Sequence, residues 1–312
     1  MRKLWLVNCI ITKNMVIRTY FKNNRLGELL LDIREKIILN DFRDRYSNII
    51  KKYSSQQEPK EKIDRDAPIW IFWGQGEEKM PPLVHSCYKS ILRNAGTHPV
   101  HLVTMENYQN YVEIPEYIIE KLEKGIITWA TFSDIMRVSL LARWGGIWLD
   151  STIYLMKPLP EAIYEDSFFS VGHPAVYGMV RLEPSRCKWR IFLMGSTYDH
   201  IIMSWCRDLF FEYVKEFNYN VDYFMLDYFI LLGCINNTKI KKIIDKVPQG
   251  PMNIYDAQNM LNVKYTDEKY AELKEASFFY KMSYRGDFRK QTEDGKDTFY
   301  KVLFSEDDQD KR

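Results

Sequence analysis

The sequence predicts an α/β protein: a Rossmann-type mixed sheet flanked by helices, preceded by a helical N-terminal appendage. Two observations carry this. From Ala67 onward, short apolar runs bounded by glycine or proline alternate with helical runs, the pattern of strands joined by helices. Before that, Leu26, Leu29, Leu30, Ile33, Ile37 and Ile38 recur near the helical period among charged residues.

The elements follow in order. Ile69-Trp70-Ile71-Phe72-Trp73 reads as a buried strand stopped by Gly74-Gln75-Gly76, and Pro81-Pro82 opens a helix through Leu92. Val100 to Val103 is a second strand, and Pro115 opens another helix. A longer helix over Phe132 to Trp144 is stopped by Gly145-Gly146, and Ile147 to Leu149 returns to strand. Strands of this kind at such spacing predict a largely parallel layer. Later come a strand at Ser167 to Val171 and a long helix at Ile201 to Phe217. The division is a helical appendage over residues 1–64, a main domain over 65–304 and a charged tail over 305–312. The polar run from Ser54 to Pro59 is the candidate linker.

A chain of 312 residues with 46% hydrophobic content has room for a sizeable core. Its 44 basic and 42 acidic residues leave a net charge of only +2, so no global field points to a nucleic-acid partner. The aromatic share of 15% is high enough for exposed stacking surfaces. Five scattered cysteines without C-x-x-C spacing fit a reducing compartment. Asn8, Lys13 and Asn14 break the apolar start too early for a signal peptide, and no run approaches the ~20 apolar residues of a membrane span. The expected location is cytoplasmic. Up to Leu26 the chain carries Arg2, Lys3, Lys13, Arg18, Lys22 and Arg25 with no acidic residue, interleaved with Trp5, Tyr20 and Phe21. Such a helix either lies peripherally on an anionic membrane surface or caps the main domain.

Asp134 and Arg137, three apart on a helix, share a face and present an acceptor and a fork of donors, either to one ligand or to each other. Asp150 falls at the carboxyl end of the strand Ile147 to Leu149, where ligands bind in open α/β sheets. A carboxylate followed by Ser151 and Thr152 suits a divalent cation on diphosphate oxygens; it also suits a plain turn.

Together, Ser133-Asp134-x-x-Arg137 and Gly145-Gly146-Ile147-Trp148-Leu149-Asp150 resemble the capsular polysaccharide synthesis glycosyltransferases. These are relatives of mannosyltransferases and of the large clostridial glucosylating toxins. The segments Ile69 to Gly76, Asp222 to Tyr228 and Tyr280 to Tyr284 resemble the same family, so the likeness runs from about 67 to 285. The resemblance implies a GT-A fold, a nucleotide-sugar donor, a divalent cation (Mn2+ or Mg2+) and retention of anomeric configuration. It puts Trp73 against uracil with Gly74 and Gln75 beside it, Asp134 and Arg137 on donor sugar and phosphate, and Asp150 as first acid and metal ligand of a D-x-D motif. Thr152 departs from that pattern by replacing the second acid, which weakens direct metal binding. Lys281 and Ser283 fall where relatives hold the diphosphate or metal, and Tyr280 stands where they more often carry His.

Asp222 and Asp227 lie in an apolar stretch that reads as a buried helix. One of them is the expected catalytic carboxylate beside the anomeric carbon; a helix-end salt bridge or cap is the alternative. His98 and His101 lack a third metal ligand, and Gly74-Gln75-Gly76 is no dinucleotide fingerprint. The expected activity is transfer of galactose or glucose from a UDP-sugar to a lipid-linked saccharide in capsular polysaccharide synthesis. Its rivals are a sugar-phosphate transferase and a non-catalytic binding homologue.

Overall fold

Five strands form one mixed sheet. β1 (Ile69–Phe72) pairs in parallel with β2 (Val100–Val103) and β3 (Gly146–Leu149), and β3 pairs antiparallel with β6 (Leu193–Ser196). β6 in turn pairs antiparallel with β5 (Phe168–Ser170), giving the order β2-β1-β3-β6-β5. The computed structural model describes residues 25–57, 61–172, 184–251 and 253–304. The basic segment up to residue 24 and the tail from Ser305 lie outside them.

The expected parallel layer thus covers β1 to β3 only. Parallel pairing needs crossover connections. Those are present as α3 (Pro82–Asn94) between β1 and β2, and as α4 (Glu116–Glu123) and α5 (Trp129–Trp144) between β2 and β3. Past β3, the described chain up to β6 contains no α-helix, and the added strands run antiparallel. A second, two-stranded sheet pairs β4 (Ile153–Leu155) with β7 (Phe279–Lys281) antiparallel, setting Ile153 opposite Lys281.

Strand alternation sends side chains to two cores. Trp70, Phe72, Trp148 and Met194 join the core formed with α5, α6 (Ile201–Glu216) and α7 (Met225–Asn236). Ile69, Ile71, Ile147, Leu149 and Leu193 face the other way, onto Val84, Tyr88 and Ile91 of α3. Both faces are covered, so β1 and β3 are buried throughout.

The N-terminal helices α1 (Arg25–Arg45) and α2 (Ser47–Ser54) share the first core rather than building one of their own. Phe42 lies 5.5 Å from the Phe229 ring, and Tyr53 meets Trp205 edge-on at 5.8 Å. Burying each such ring contributes about 1.5–3 kcal/mol. The start of the expected linker is also held, by Asn237 Nδ2 on Tyr53 O at 3.0 Å and Lys239 Nζ on Ser54 O at 3.2 Å. Among the described residues no helix is long and apolar enough to cross a membrane.

Candidate functional site

β1 and β3 are parallel neighbours, so their carboxyl ends open on the same edge of the sheet, where Trp73 and Asp150 follow. The double glycine makes this placement possible. α5 is capped at its start by Thr128, whose Oγ accepts from the Thr131 amide at 3.2 Å, and it ends at Gly145. Gly145 and Gly146 take φ of 66° and 99°, values that disfavour any side chain. A Cβ at Gly146 would lie 2.3 Å from Pro68 O, so only glycine lets β3 enter beside β1.

Asp150 is the centre of an ionic network. Its Oδ1 accepts from Arg137 Nη2 and from Trp148 Nε1, both at 2.8 Å. Its Oδ2 accepts from Lys281 Nζ at 2.7 Å, and the same ammonium donates to Thr152 Oγ1 at 2.7 Å. Arg137 also pairs with Asp134 one helical turn back, and its guanidinium lies 4.9 Å over the Trp148 ring. Lys281 Nζ sits 5.3 Å from the Phe192 ring.

Burial would raise the Asp150 pKa, but Lys281 and then Arg137 outweigh it and hold the carboxyl well below the usual carboxylate range. Asp134 behaves oppositely: burial pushes it up to about 6, and Arg137 only partly opposes the rise. The site therefore holds one firmly ionised carboxylate and one that titrates near neutrality.

An aromatic shelf adjoins the network. The backbone of Trp73 continues the sheet, its amide donating to Val103 O at 3.0 Å. Its buried Nε1 has no partner among the described residues, and its ring meets Tyr284 edge-on at 5.8 Å. Trp129 closes over Gly74, where an added Cβ would lie 2.7 Å from the Trp129 ring; Gln75 is exposed. Tyr223, although 71% exposed, has its hydroxyl pKa raised, first by partial burial and then by Asp134 and Asp150. The phenol is thus near enough to both carboxylates to feel their charge.

The structure brings together Trp73, Gly74, Asp134, Arg137, Asp150, Thr152 and Lys281 of the residues expected from the sequence. Ser151 is half-buried in the turn between β3 and β4. Ser283 closes its own turn: its Oγ accepts from the Arg285 amide at 3.3 Å, while its amide donates to Gln258 Oε1 at 2.8 Å. The contacts described for Asp222 and Asp227 lie elsewhere. Asp222 Oδ2 forms a buried ion pair with Arg34 Nη1, and its Oδ1 accepts from the Phe224 amide at 2.9 Å. Asp227 Oδ1 accepts from Trp189 Nε1 at 2.8 Å.

Trp148, Trp129 and Tyr223 were not singled out by sequence reasoning. Trp148 carried a usable signal, since it stands two residues before Asp150 on the same strand face. Trp129 and Tyr223 carried none beyond aromatic character.

The donor set fits a divalent cation poorly. Thr152 offers a neutral hydroxyl, both Asp150 oxygens are already engaged, and the Lys281 ammonium lies between the two side chains that a D-x-D pair would turn toward a metal. Among the described residues no group of three or more His, Cys, Asp or Glu side chains is placed to hold a metal ion.

The chain is 26% identical over 155 residues to the O-glycosyltransferase braB of Annulohypoxylon truncatum, an alignment spanning 44% of this chain and 36% of that protein. The chain therefore covers little more than a third of that relative's length. A family model described as capsular polysaccharide synthesis protein matches residues 18–303, wider than the motif-bearing stretch and inclusive of α1, α2 and the β4–β7 pair. With nearly its whole length matched, the chain belongs to the capsular polysaccharide synthesis protein family.

Proposed function

We propose that the protein is a retaining glycosyltransferase that moves a hexose, galactose or glucose, from a UDP-sugar to a lipid-linked saccharide in capsular polysaccharide synthesis. The observation that carries this reading is the chain Asp134–Arg137–Asp150–Lys281 at the carboxyl ends of β1 and β3, beside the Trp73 shelf. Fixed positive groups aimed at a departing diphosphate stabilise the charge that develops as the glycosidic bond breaks. Arg137 and Lys281 are such groups, held in place by Asp134 and Asp150. Trp73 would offer a uracil base its ring and an N–H without a partner among the described residues, and Ser151 is the residue proposed to meet the sugar beyond the diphosphate. Gln75 and the Ser283 turn border the same donor region.

For the carboxylate at the anomeric carbon we keep both candidates, Asp227 and Asp222, each buried, the first against Trp189 and the second against Arg34. Residues 1–25 are the segment proposed to meet an anionic membrane surface, where a lipid-linked acceptor resides. Salt-sensitive sedimentation with anionic but not neutral vesicles is the expected result.

The test is incubation of purified protein with UDP-galactose or UDP-glucose, following nucleotide release with and without a lipid-linked acceptor. Acceptor-stimulated UDP release is expected. Release of UMP would identify a sugar-phosphate transferase, and binding without release a non-catalytic homologue.

A further inference from the structure

We propose that Lys281 serves as a built-in cation, occupying the place of a divalent metal ion at the donor diphosphate, so that donor binding is metal-independent. This rests on the donor-site reading above and is decided by the position of one ammonium group.

The backbone fixes that position. Lys281 lies opposite Ile153 in the β4–β7 pair, its amide donates to Ile254 O at 2.8 Å, and the next amide, of Met282, donates to Thr152 O at 2.8 Å. The strand that carries the lysine is thus bonded directly to the segment that follows Asp150. Its side chain is 19% exposed and passes beside the Phe192 ring. The ammonium ends 2.7 Å from Asp150 Oδ2 and 2.7 Å from Thr152 Oγ1, the two alternate side chains that a D-x-D motif turns toward its metal.

Charge and donor count both favour the lysine as the resident cation. Two carboxylates balance a divalent ion; with Thr152 in the second position only Asp150 is charged, and the single charge of Lys281 balances it. Arg137 is likewise matched by Asp134. A divalent ion added beside Asp150 would stand within a few ångströms of an ammonium, at a direct Coulomb cost. An ammonium has three N–H donors. Two are taken by Asp150 and Thr152, which leaves the third for a phosphate oxygen.

The experiment uses the full chain and measures UDP and GDP binding by calorimetry, in EDTA and with added Mn2+ or Mg2+. The wild-type affinity for the better nucleotide is expected to change by less than about threefold between these conditions. Lys281→Met keeps the apolar stem and removes the charge; it should weaken that affinity in EDTA by about tenfold or more, the loss expected for a charged contact. A wild-type affinity that falls more than about threefold in EDTA, or a folded Lys281→Met variant whose affinity in EDTA falls less than about tenfold, overturns this inference and leaves the donor-site reading standing. An absence of binding by either nucleotide in every condition overturns both. If Lys281→Met fails to fold by circular dichroism, the wild-type comparison still decides.

Discussion

Asp134 and Asp150 bond the same guanidinium, that of Arg137, yet their pKa values are driven in opposite directions. Asp134 has one cationic partner and is raised to about 6 by burial. Asp150 has a second partner in Lys281 and is lowered.

The first prediction is a pH dependence of stability. A carboxyl whose folded pKa is raised contributes stability below its unfolded value of 3.8 and loses it as pH rises through about 6. Asp134→Asn removes this titration. Between about pH 4 and pH 7 the variant should therefore gain on wild type in urea unfolding, by on the order of 2–3 kcal/mol. Asp150 acts with the reverse sign: its contribution is present above about pH 4 and is lost only in stronger acid. A wild-type-minus-variant difference that stays flat from about pH 4 to pH 7 would sink the assignment for Asp134.

The second prediction concerns turnover. Asp150 holds both cationic groups in position, and Asp150→Asn keeps the shape but removes the charge that orients them. UDP release from the preferred donor should fall by about 10²–10³. Retention of more than about a third of wild-type turnover in a folded variant would show that the reaction does not depend on this carboxylate, against the loss expected for preorganised charge.

Arg137 and Asp150 were legible in the sequence because each depends on local signals, a helical i,i+3 spacing and a double glycine before a short apolar strand; Trp73 was legible locally only as a strand end, and as a site candidate through resemblance. The helices α3, α5 and α6 were legible for the same reason. Lys281 was visible only through resemblance, since its contact with Asp150 requires the register of β7 against β4, two three-residue strands far apart in sequence. β6 escaped detection because Leu193 to Ser196 is too short and too small-residued to show strand alternation, although it decides the antiparallel half of the sheet. The Asp222 pairing was out of reach because Arg34 sits on a helix at the other end of the chain.

A third prediction tests donor choice at Ser151. Galactose and glucose differ only in the orientation of one hydroxyl, so one hydrogen bond or one close contact must distinguish them. A site that pairs a substrate hydroxyl rejects the epimer that leaves its groups unpaired. With UDP-galactose and UDP-glucose in competition, Ser151→Ala and Ser151→Thr should shift the kcat/KM ratio several-fold, with folding intact by circular dichroism. An unchanged ratio in both variants removes Ser151 from the sugar subsite.

The last prediction separates a structural from a catalytic Asp222. Its side chain is 2% exposed and that of Arg34 is 7% exposed, so the pair joins α1 to the chain before α7 out of contact with water. Arg34 Nη2 also donates to Val221 O at 3.1 Å, which fixes the guanidinium against that loop. Removing one partner of a buried pair leaves the other charge uncompensated, at a cost of about 3–5 kcal/mol. Replacing both with apolar residues of similar size avoids that penalty and is often close to neutral. Asp222→Asn should therefore be strongly destabilised in urea unfolding, and Arg34→Met combined with Asp222→Leu should recover most of the loss. UDP release per folded molecule should stay within about threefold of wild type in the double variant, far from the 10²–10³ expected of a lost charge at the reacting atoms. If stability is regained while turnover remains depressed by that larger factor, Asp222 acts on the substrate and the Arg34 pair only positions it.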